Sequence, residues 1–261
     1  MCANWNPGNK SVSVLATAAL IYTQILFSPV ASAETFRVGV AANFSKCLLM
    51  IETAFMARYP EHRLQYSTAA SGVLYAQIIS GAPFDLFLSA ENRSTNKLMV
   101  EGKGRAQITY ALGRLVLWAP GAGKIDESFL ENYKGPLAIA NPSSAPYGQA
   151  AISLLQVHYG SGSMKIIRGN NIAQAYQYVA SGNADAGLVA LSLTLPDCMR
   201  GQNCWIIPAH YYPPIRQNAV LLSNNSGAKA FFDFLGSKAA REIIVDNGYG
   251  VESSKERTPV K

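Results

Sequence analysis

Two spacings of apolar residues alternate along the chain beyond residue 33. Runs of β-branched and other apolar residues, typical of strands, lie at FRVGVAA (36–42), LQYSTAA (64–70) and FDLFLSA (84–90). Between them, apolar residues recur at helical spacing in FSKCLLMIETAFMARYP (44–60) and GVLYAQIIS (72–80). Regular alternation of this kind predicts an α/β fold with largely parallel sheets.

The alternation continues through the second half of the chain. Further strands are predicted at RLVLWAP (114–120), PLAIANP (136–142), MKIIRG (164–169) and AGLVALS (186–192). Further helices are predicted at YGQAAISLLQVHYG (147–160) and IAQAYQYVASG (172–182). A last helix, 227–248, is predicted to stop at the Asn247-Gly248 pair.

Residues 1–33 have the pattern of a secretory signal peptide. Lys10 precedes the apolar run VSVLATAALIYTQILF, and the small-residue sequence ASA follows at 31–33. A membrane anchor is the alternative, but Thr17, Thr23 and Gln24 interrupt a run that is already short for one. We therefore expect export and cleavage, which leaves residues 34–261 as the mature chain.

The charge of the chain argues against a nucleic-acid-binding protein. The formal net charge is +6, and it becomes +5 without Lys10, the one charged residue of the first 33. Lys and Arg are scattered rather than concentrated among aromatic residues. We expect them to form an ordinary solvated surface.

Three cysteines remain in the mature chain. In an oxidising compartment the segment CMRGQNC favours a disulfide between Cys198 and Cys204. Free thiols are an alternative, and a zinc site would need more ligands at close spacing than His210 adds. Cys47, among apolar residues, is expected to be a small buried hydrophobic residue.

Four predicted strand-to-helix turns share one chemistry. They are Ala42-Asn43-Phe44, Ala70-Ser71-Gly72, the segment 143–148 and Asn170-Asn171-Ile172, and each offers backbone N–H groups and short polar or phenolic side chains without a charge. Because helix N-termini carry unpaired donors and partial positive charge, converging turns would make an anion site. The alternative is ordinary helix capping by Asn43, Ser71 and Asn171.

Several segments together resemble the periplasmic molybdate-binding proteins, the soluble receptors of molybdate ABC transporters. SGVLYAQIISGAPFDLFLSAE (71–91) and the APYG element at 145–148 are the most specific. VGVAANF, NNIAQAYQYVASGNADAGLVALS, YYPPIRQNAVLL and AKAFFDFLGSKAAREIIVDNGYGV continue the match in the same order, so the resemblance covers essentially all of 36–251.

The resemblance implies a two-lobed type II periplasmic-binding-protein fold. Each lobe would be a mixed, mostly parallel sheet flanked by helices, with the ligand in the cleft. Residues 34–112 and 217–261 would form the first lobe, and 113–216 the second. The protein would be a periplasmic monomer that binds molybdate or tungstate and meets an inner-membrane ABC permease, with no cofactor, no directly bound metal and no catalytic residue.

The resemblance also implies the ligand-binding residues. The Asn43 and Ala42 turn would donate from the first lobe, together with the Ser71 hydroxyl and N–H. The Tyr147 phenol and the Ile172 N–H would donate from the second lobe, and Ala90 would line the site. Ser71 and Gly72 would be small because an oxyanion lies against them. Where some members have a tyrosine, this chain has Ala190-Leu191-Ser192.

Other functions on this fold, or on another, fit parts of the same sequence. Tyr211-Tyr212 with His210 suggest a ferric-ion receptor as an alternative, although iron prefers several phenolate, carboxylate or imidazole ligands. A sulfate, thiosulfate or phosphate receptor would use the same neutral donors. An enzyme with Ser71 as nucleophile would need a base within reach, and none of the three histidines lies in the four turns.

Overall fold

A computed structural model describes residues 1–3, 34–158, 164–200 and 203–252 of the 261-residue chain. Glu34–Lys261 forms a unit of its own, and the fold is that of this unit. Apart from residues 1–3, the predicted signal peptide lies outside the described residues. Within those ranges, we find no helix with the length and apolar character needed to cross a bilayer.

The first sheet contains five strands in the order β2-β1-β3-β10-β4. β1 pairs in parallel with β2 and β3, whereas β10 lies antiparallel between β3 and β4. The strands are β1 (Glu34–Ala41), β2 (His62–Ala69), β3 (Leu86–Ser89), β4 (Ala106–Gly113) and β10 (Ile215–Leu221).

The second sheet also contains five strands, in the order β7-β6-β8-β5-β9. β6 is parallel to β7 and β8, and β5 is antiparallel to β8 and β9. The strands are β5 (Leu115–Trp118), β6 (Leu137–Ala140), β7 (Ile166–Gly169), β8 (Ala186–Ala190) and β9 (Cys204–Ile206). Both sheets are therefore mixed, with parallel and antiparallel pairings in equal number among the described strands.

Helices flank both sheets. They are α1 (Ser45–Arg58), α2 (Ser71–Ile79), α3 (Asn92–Val100), α4 (Glu127–Asn132), α5 (Pro146–His158), α6 (Ile172–Ala180), α7 (Leu191–Cys198), α8 (Ser226–Leu235) and α9 (Lys238–Asp246), with 3₁₀ turns η1 (Ala42–Phe44) and η2 (Ala209–Tyr211). The short strands β3, β5, β6 and β8 are buried at every residue. Strands covered on both faces read as continuous apolar runs, which is how the sequence shows them.

The structure differs from the sequence prediction at two of the predicted segments. The predicted single helix 227–248 is wrong, because the chain forms α8 and α9 with a break at Gly236-Ser237. The Ser237 hydroxyl accepts the Ala240 N–H and starts a new helix. The strand predicted to reach Ser192 ends at Ala190, where α7 begins.

The two cysteines of the CMRGQNC segment are bonded to each other. Cys198 ends α7 and Cys204 begins β9, so the bond ties that helix to an edge strand. Cys47 is a free thiol in the core of the first sheet. Burial raises the pKa of the Cys47 thiol to about 12, which keeps it protonated and unreactive at neutral pH.

Candidate functional site

The four strand-to-helix turns meet around one small cavity. β1 runs into η1, β2 into α2, β6 into α5 and β7 into α6, and the carboxyl ends of the parallel strands of both sheets thereby face the same space. Its lining residues are Ala41, Ala42, Asn43, Ala69, Ala70, Ser71, Ala90, Ala145, Pro146, Tyr147, Asn171 and Ile172.

All six residues predicted from the sequence to bind the ligand line this cavity. Ala42, Asn43, Ser71 and Ala90 come from the wall of the first sheet, and Tyr147 and Ile172 from the wall of the second. Every one of them is at most 4% exposed. The structure thus brings together turns that are separated by up to about half of the chain.

The cavity is narrow and uncharged. Its volume is about 10 Å³, close to the least that holds one water molecule. Each of the lining residues just named is apolar or neutral, so attraction for an anion has to come from dipoles and hydrogen bonds. The two walls are packed closely over this space.

Ser71 is the first residue of α2 and does not cap it. The residue before the helix is Ala70, and no side chain accepts a hydrogen bond from the first turn. The Ser71 oxygen instead accepts the N–H of Ala90 at 2.9 Å. This bond fixes the rotamer of the side chain and leaves the hydroxyl hydrogen and the Ser71 N–H for a guest.

The same bond defines what Ala90 can contribute. Because its N–H is already donated to Ser71, Ala90 offers the cavity a methyl group and no donor. Its role at the site is therefore to support Ser71 and fill space.

The Asn43 side chain lines the cavity and is hydrogen-bonded within the protein. The Nδ2 group donates to Gln217 Oε1 and to the Tyr249 hydroxyl, both at 3.0 Å. The Asn43 carbonyl accepts from Tyr249 at 2.7 Å and from Ser192 at 3.0 Å. Both side-chain N–H donors are thus in use, and the donor that Asn43 has left for a guest is its backbone N–H at the start of η1.

Unlike the Asn43 Nδ2 group, the Tyr147 hydroxyl is not bonded within the protein. It is the second residue of α5 and 1% exposed, and its hydroxyl has no protein partner. Asn43 Oδ1 and Gln217 Nε2 are also unpaired among the buried side-chain atoms of the described residues. A buried polar atom without a partner calls for a ligand or a bound water.

The Tyr147 phenol remains a neutral donor. Burial is the main cause that raises its pKa well above the ordinary value, and the neighbouring phenols of Tyr249 and Tyr212 act in the same direction. The nearby Asn43 side chain and Arg114 backbone lower the pKa without reversing the shift. The hydroxyl hydrogen is therefore present throughout the physiological range.

Ile172 lies at the first position of α6. Its preceding residue, Asn171, caps the helix by accepting the Gln174 N–H at 2.9 Å. The capping interpretation is thus correct for Asn171, whereas neither Asn43 nor Ser71 caps its own helix. The Ile172 N–H precedes the capped amide and is an unpaired first-turn donor.

Two of the cavity elements lack the side-chain cap that several other helices have. At four helices away from the cavity, a polar side chain accepts first-turn N–H groups: Glu91 at α3, Asp126 at α4, Asn225 at α8 and Ser237 at α9. The cavity elements η1 and α2 start after Ala41 and Ala70, which cannot cap. Their donors are left bare where the two walls meet.

Several functional residues escaped the sequence analysis. Gln217 of β10, Tyr249 after α9 and Ser192 of α7 hold Asn43 in place. They lie 149 to 206 residues from Asn43, so no local pattern could join them. Ser192 falls in the segment where some molybdate-binding proteins have a tyrosine, and here it supports the first wall.

The ferric-ion and enzyme interpretations gain no support from this geometry. Tyr212 accepts the Leu115 N–H at 3.0 Å, and Tyr211 donates to Glu127 at 2.7 Å. Neither tyrosine lines the cavity, and neither does His210. The lining residues also contain no carboxylate or imidazole that could act as a base for Ser71.

A second depression lies along α6. It is open, has a volume of about 550 Å³ and is lined mainly by amide and hydroxyl side chains, with Asn171 shared between it and the cavity. The converging helix starts lie at the smaller space, which is the candidate binding site.

Comparison with known proteins agrees with this geometry. The chain is 39% identical to the molybdate-binding protein ModA of Azotobacter vinelandii over 87% of this chain and 94% of that protein. It is 38% identical to ModA of Rhodobacter capsulatus over 90% of this chain and 95% of that protein. The solved periplasmic molybdate-binding protein of Azotobacter vinelandii superposes with a TM-score of 0.77, at 32% identity, over 84% of this chain and 100% of that one.

The family profile described as bacterial extracellular solute-binding protein matches residues 36–250. The two mixed sheets with flanking helices and a cavity between them are the type II periplasmic-binding-protein fold expected from the sequence. This chain belongs to the bacterial extracellular solute-binding protein family.

Proposed function

We propose that this protein binds molybdate in the periplasm as the receptor of an ABC importer. The observation that carries the proposal is the single uncharged cavity at which the starts of η1, α2, α5 and α6 converge. The relatives named molybdate-binding protein support it, because they match nearly the full length of the chain.

The donors fit a tetrahedral dianion. They are the N–H groups of Asn43 or Ala42, Ser71 and Ile172, together with the hydroxyls of Ser71 and Tyr147. Each hydrogen bond to a charged group contributes about 1.5–3 kcal/mol net, so five of them offset much of the hydration that a buried anion loses. Donors without a carboxylate favour an anion that carries no proton, since such an anion has acceptors alone.

The protein holds the ion between two lobes. Residues 34–112 with 217–261 act as one lobe and 113–216 as the other, and they close over the ion. Tungstate, which presents four oxygens in the same arrangement, binds at the same donors. The loaded monomer meets a membrane permease and delivers the ion to it, and the protein has no catalytic activity of its own.

Isothermal titration of the mature chain tests the proposal. Molybdate, tungstate, sulfate and phosphate are titrated in turn at the same pH. We expect strong binding of molybdate and tungstate and weak or no binding of phosphate, which keeps a proton near neutral pH. Tight sulfate binding without molybdate binding would make the protein a sulfate receptor, and no heat from any of the four would contradict the proposal.

A further inference from the structure

Among the described residues, one direct hydrogen bond between backbone groups joins the two walls of the cavity. The N–H of Gly72, the second residue of α2, donates to the carbonyl of Ser144 at 3.0 Å. Gly72 follows β2 of the first sheet, and Ser144 follows β6 of the second. The bond therefore spans the cleft beside Ser71, at the edge of the cavity.

Glycine suits this close approach. A Cβ atom built on Gly72 would lie 3.1 Å from the Ser144 oxygen and 3.3 Å from the Ser144 Cα. Both distances are shorter than ordinary contact, and both partners are backbone atoms that cannot rotate away. The expectation that an oxyanion requires Gly72 to be small is therefore replaced by another reason: the opposite wall occupies that space.

We propose that the Gly72–Ser144 contact is a clasp that holds the two lobes closed and slows release of the bound oxyanion. This inference rests on the proposed function, because it describes how the same site retains its ligand. The Gly72 N–H has no partner within its own helix. A contact that exists only when the walls meet stabilises the closed state alone.

Other hydrogen bonds across the cleft differ in kind. Lys46 Nζ donates to the Leu193 carbonyl at 3.0 Å, and the Ser192 hydroxyl donates to the Asn43 carbonyl at 3.0 Å. Those bonds use side chains, which can follow a moving wall by rotating. The clasp joins two backbones, so it breaks as soon as the walls separate.

The replacement Gly72→Ala, written G72A, tests the clasp, with Gly123→Ala (G123A) as its matched control. A Cβ at Gly123 would meet no heavy atom within 4 Å. Alanine is the better helix former, so α2 should persist and the melting temperature of unliganded G72A should not fall. We expect molybdate to leave G72A about tenfold faster than wild type in a stopped-flow chase, with little change in the association rate.

Hydrogen exchange at the residue 72 amide gives a second readout. A first-turn amide is not protected by its own helix, so slow exchange in loaded wild type would report the bond to Ser144. We expect slow exchange in wild type and G123A and fast exchange in G72A. Wild-type dissociation kinetics in G72A, or fast exchange in loaded wild type, would overturn the clasp.

The experiments distinguish a wrong clasp from a wrong function. If wild type shows no heat with molybdate or the other three oxyanions, the function is wrong whatever G72A does. The clasp is then decided by the amide of the unliganded chain. Slow exchange that G72A abolishes supports it, and fast exchange in wild type overturns it.

Discussion

On the first wall of the cavity, Ser71 and the Asn43 Nδ2 group already form hydrogen bonds within the protein, whereas on the second wall the Tyr147 hydroxyl has no protein partner. Ser71 is fixed by Ala90, and Asn43 by Gln217 and Tyr249. A fixed side chain costs little entropy when a ligand arrives, while an unpaired one gains a bond that it lacked. The two walls should therefore respond differently to loss of a hydroxyl.

Replacement of Ser71 by alanine should have the largest effect, because it damages both binding and folding. It removes a hydroxyl donor from the ligand and leaves the buried Ala90 N–H unpaired. We expect molybdate binding to weaken by about 1.5–3 kcal/mol and the free energy of unfolding to fall by about 1–3 kcal/mol. Calorimetry and urea denaturation measure the two quantities. Unchanged binding would mean that the Ser71 hydroxyl does not contact the ion.

Replacement of Tyr147 by phenylalanine should affect binding alone. The lost hydroxyl has no protein partner, so the free energy of unfolding should stay within about 0.5 kcal/mol of wild type. Binding should weaken by about 1.5–3 kcal/mol if the phenol donates to the ion. Wild-type affinity in this variant would mean that the Tyr147 hydroxyl does not bind the ion and that Tyr147 can contribute only its backbone N–H.

Replacement of Asn43 by alanine should mainly affect folding. The change deletes the two bonds from Nδ2 and leaves buried Gln217 Oε1 without its donor. We expect the free energy of unfolding to fall by about 1–3 kcal/mol, with a smaller loss of affinity than in Tyr147→Phe. A larger loss of affinity than in that variant would mean that the amide itself contacts the ion.

The buried phenols predict loss of stability at high pH. Burial raises the pKa values of Tyr110, Tyr147 and Tyr249 in the folded state. Their stabilising contribution is present below the unfolded-state pKa of about 10 and is lost as pH rises above it, by about 1.4 kcal/mol per pH unit for each phenol. Tyr147→Phe should therefore lose less stability than wild type between about pH 10 and 11 in thermal melts. Equal losses would contradict the assignment.

The affinity for molybdate should depend less on pH than the stability of the fold does. With neutral donors on both walls, the affinity for molybdate should be nearly constant from about pH 6 to 8, where histidine is the side chain that ordinarily titrates. Titrations at three pH values in this window suffice. A steep change would place a titrating group at the site.

The sequence predicted the parts of the site that depend on local structure. It missed the contacts between residues that lie far apart in the chain. The pattern of strand and helix placed Asn43, Ser71, Tyr147 and Ile172 at element boundaries, and boundaries of parallel strands lie at one edge of a sheet. It could not show that the Asn43 amide is taken by Gln217 and Tyr249, since those pairings depend on tertiary folding. The role of Gly72 was misjudged for the same reason: its neighbour Ser144 is 72 residues away.

The fold was predicted less completely at its antiparallel strands. β4 and β9 were absent from the predicted strands, because neither has the continuous apolar run of a strand covered on both faces. β10 lies in the segment YYPPIRQNAVLL, which was noted for its resemblance but was not predicted as a strand. The break between α8 and α9 was missed because the helical spacing of apolar residues continues on both sides of Gly236 and Ser237.

The insertion of β10 between β3 and β4 has a consequence for the order of assembly. Strands β5 to β9 come from one uninterrupted stretch, 115–206, so their sheet requires only contacts at moderate sequence separation. The other sheet is incomplete until a strand from near the carboxyl end reaches its middle, and closing so long a loop is slow. During synthesis the second sheet can thus form first, and the first sheet is completed only when the tail of the chain arrives.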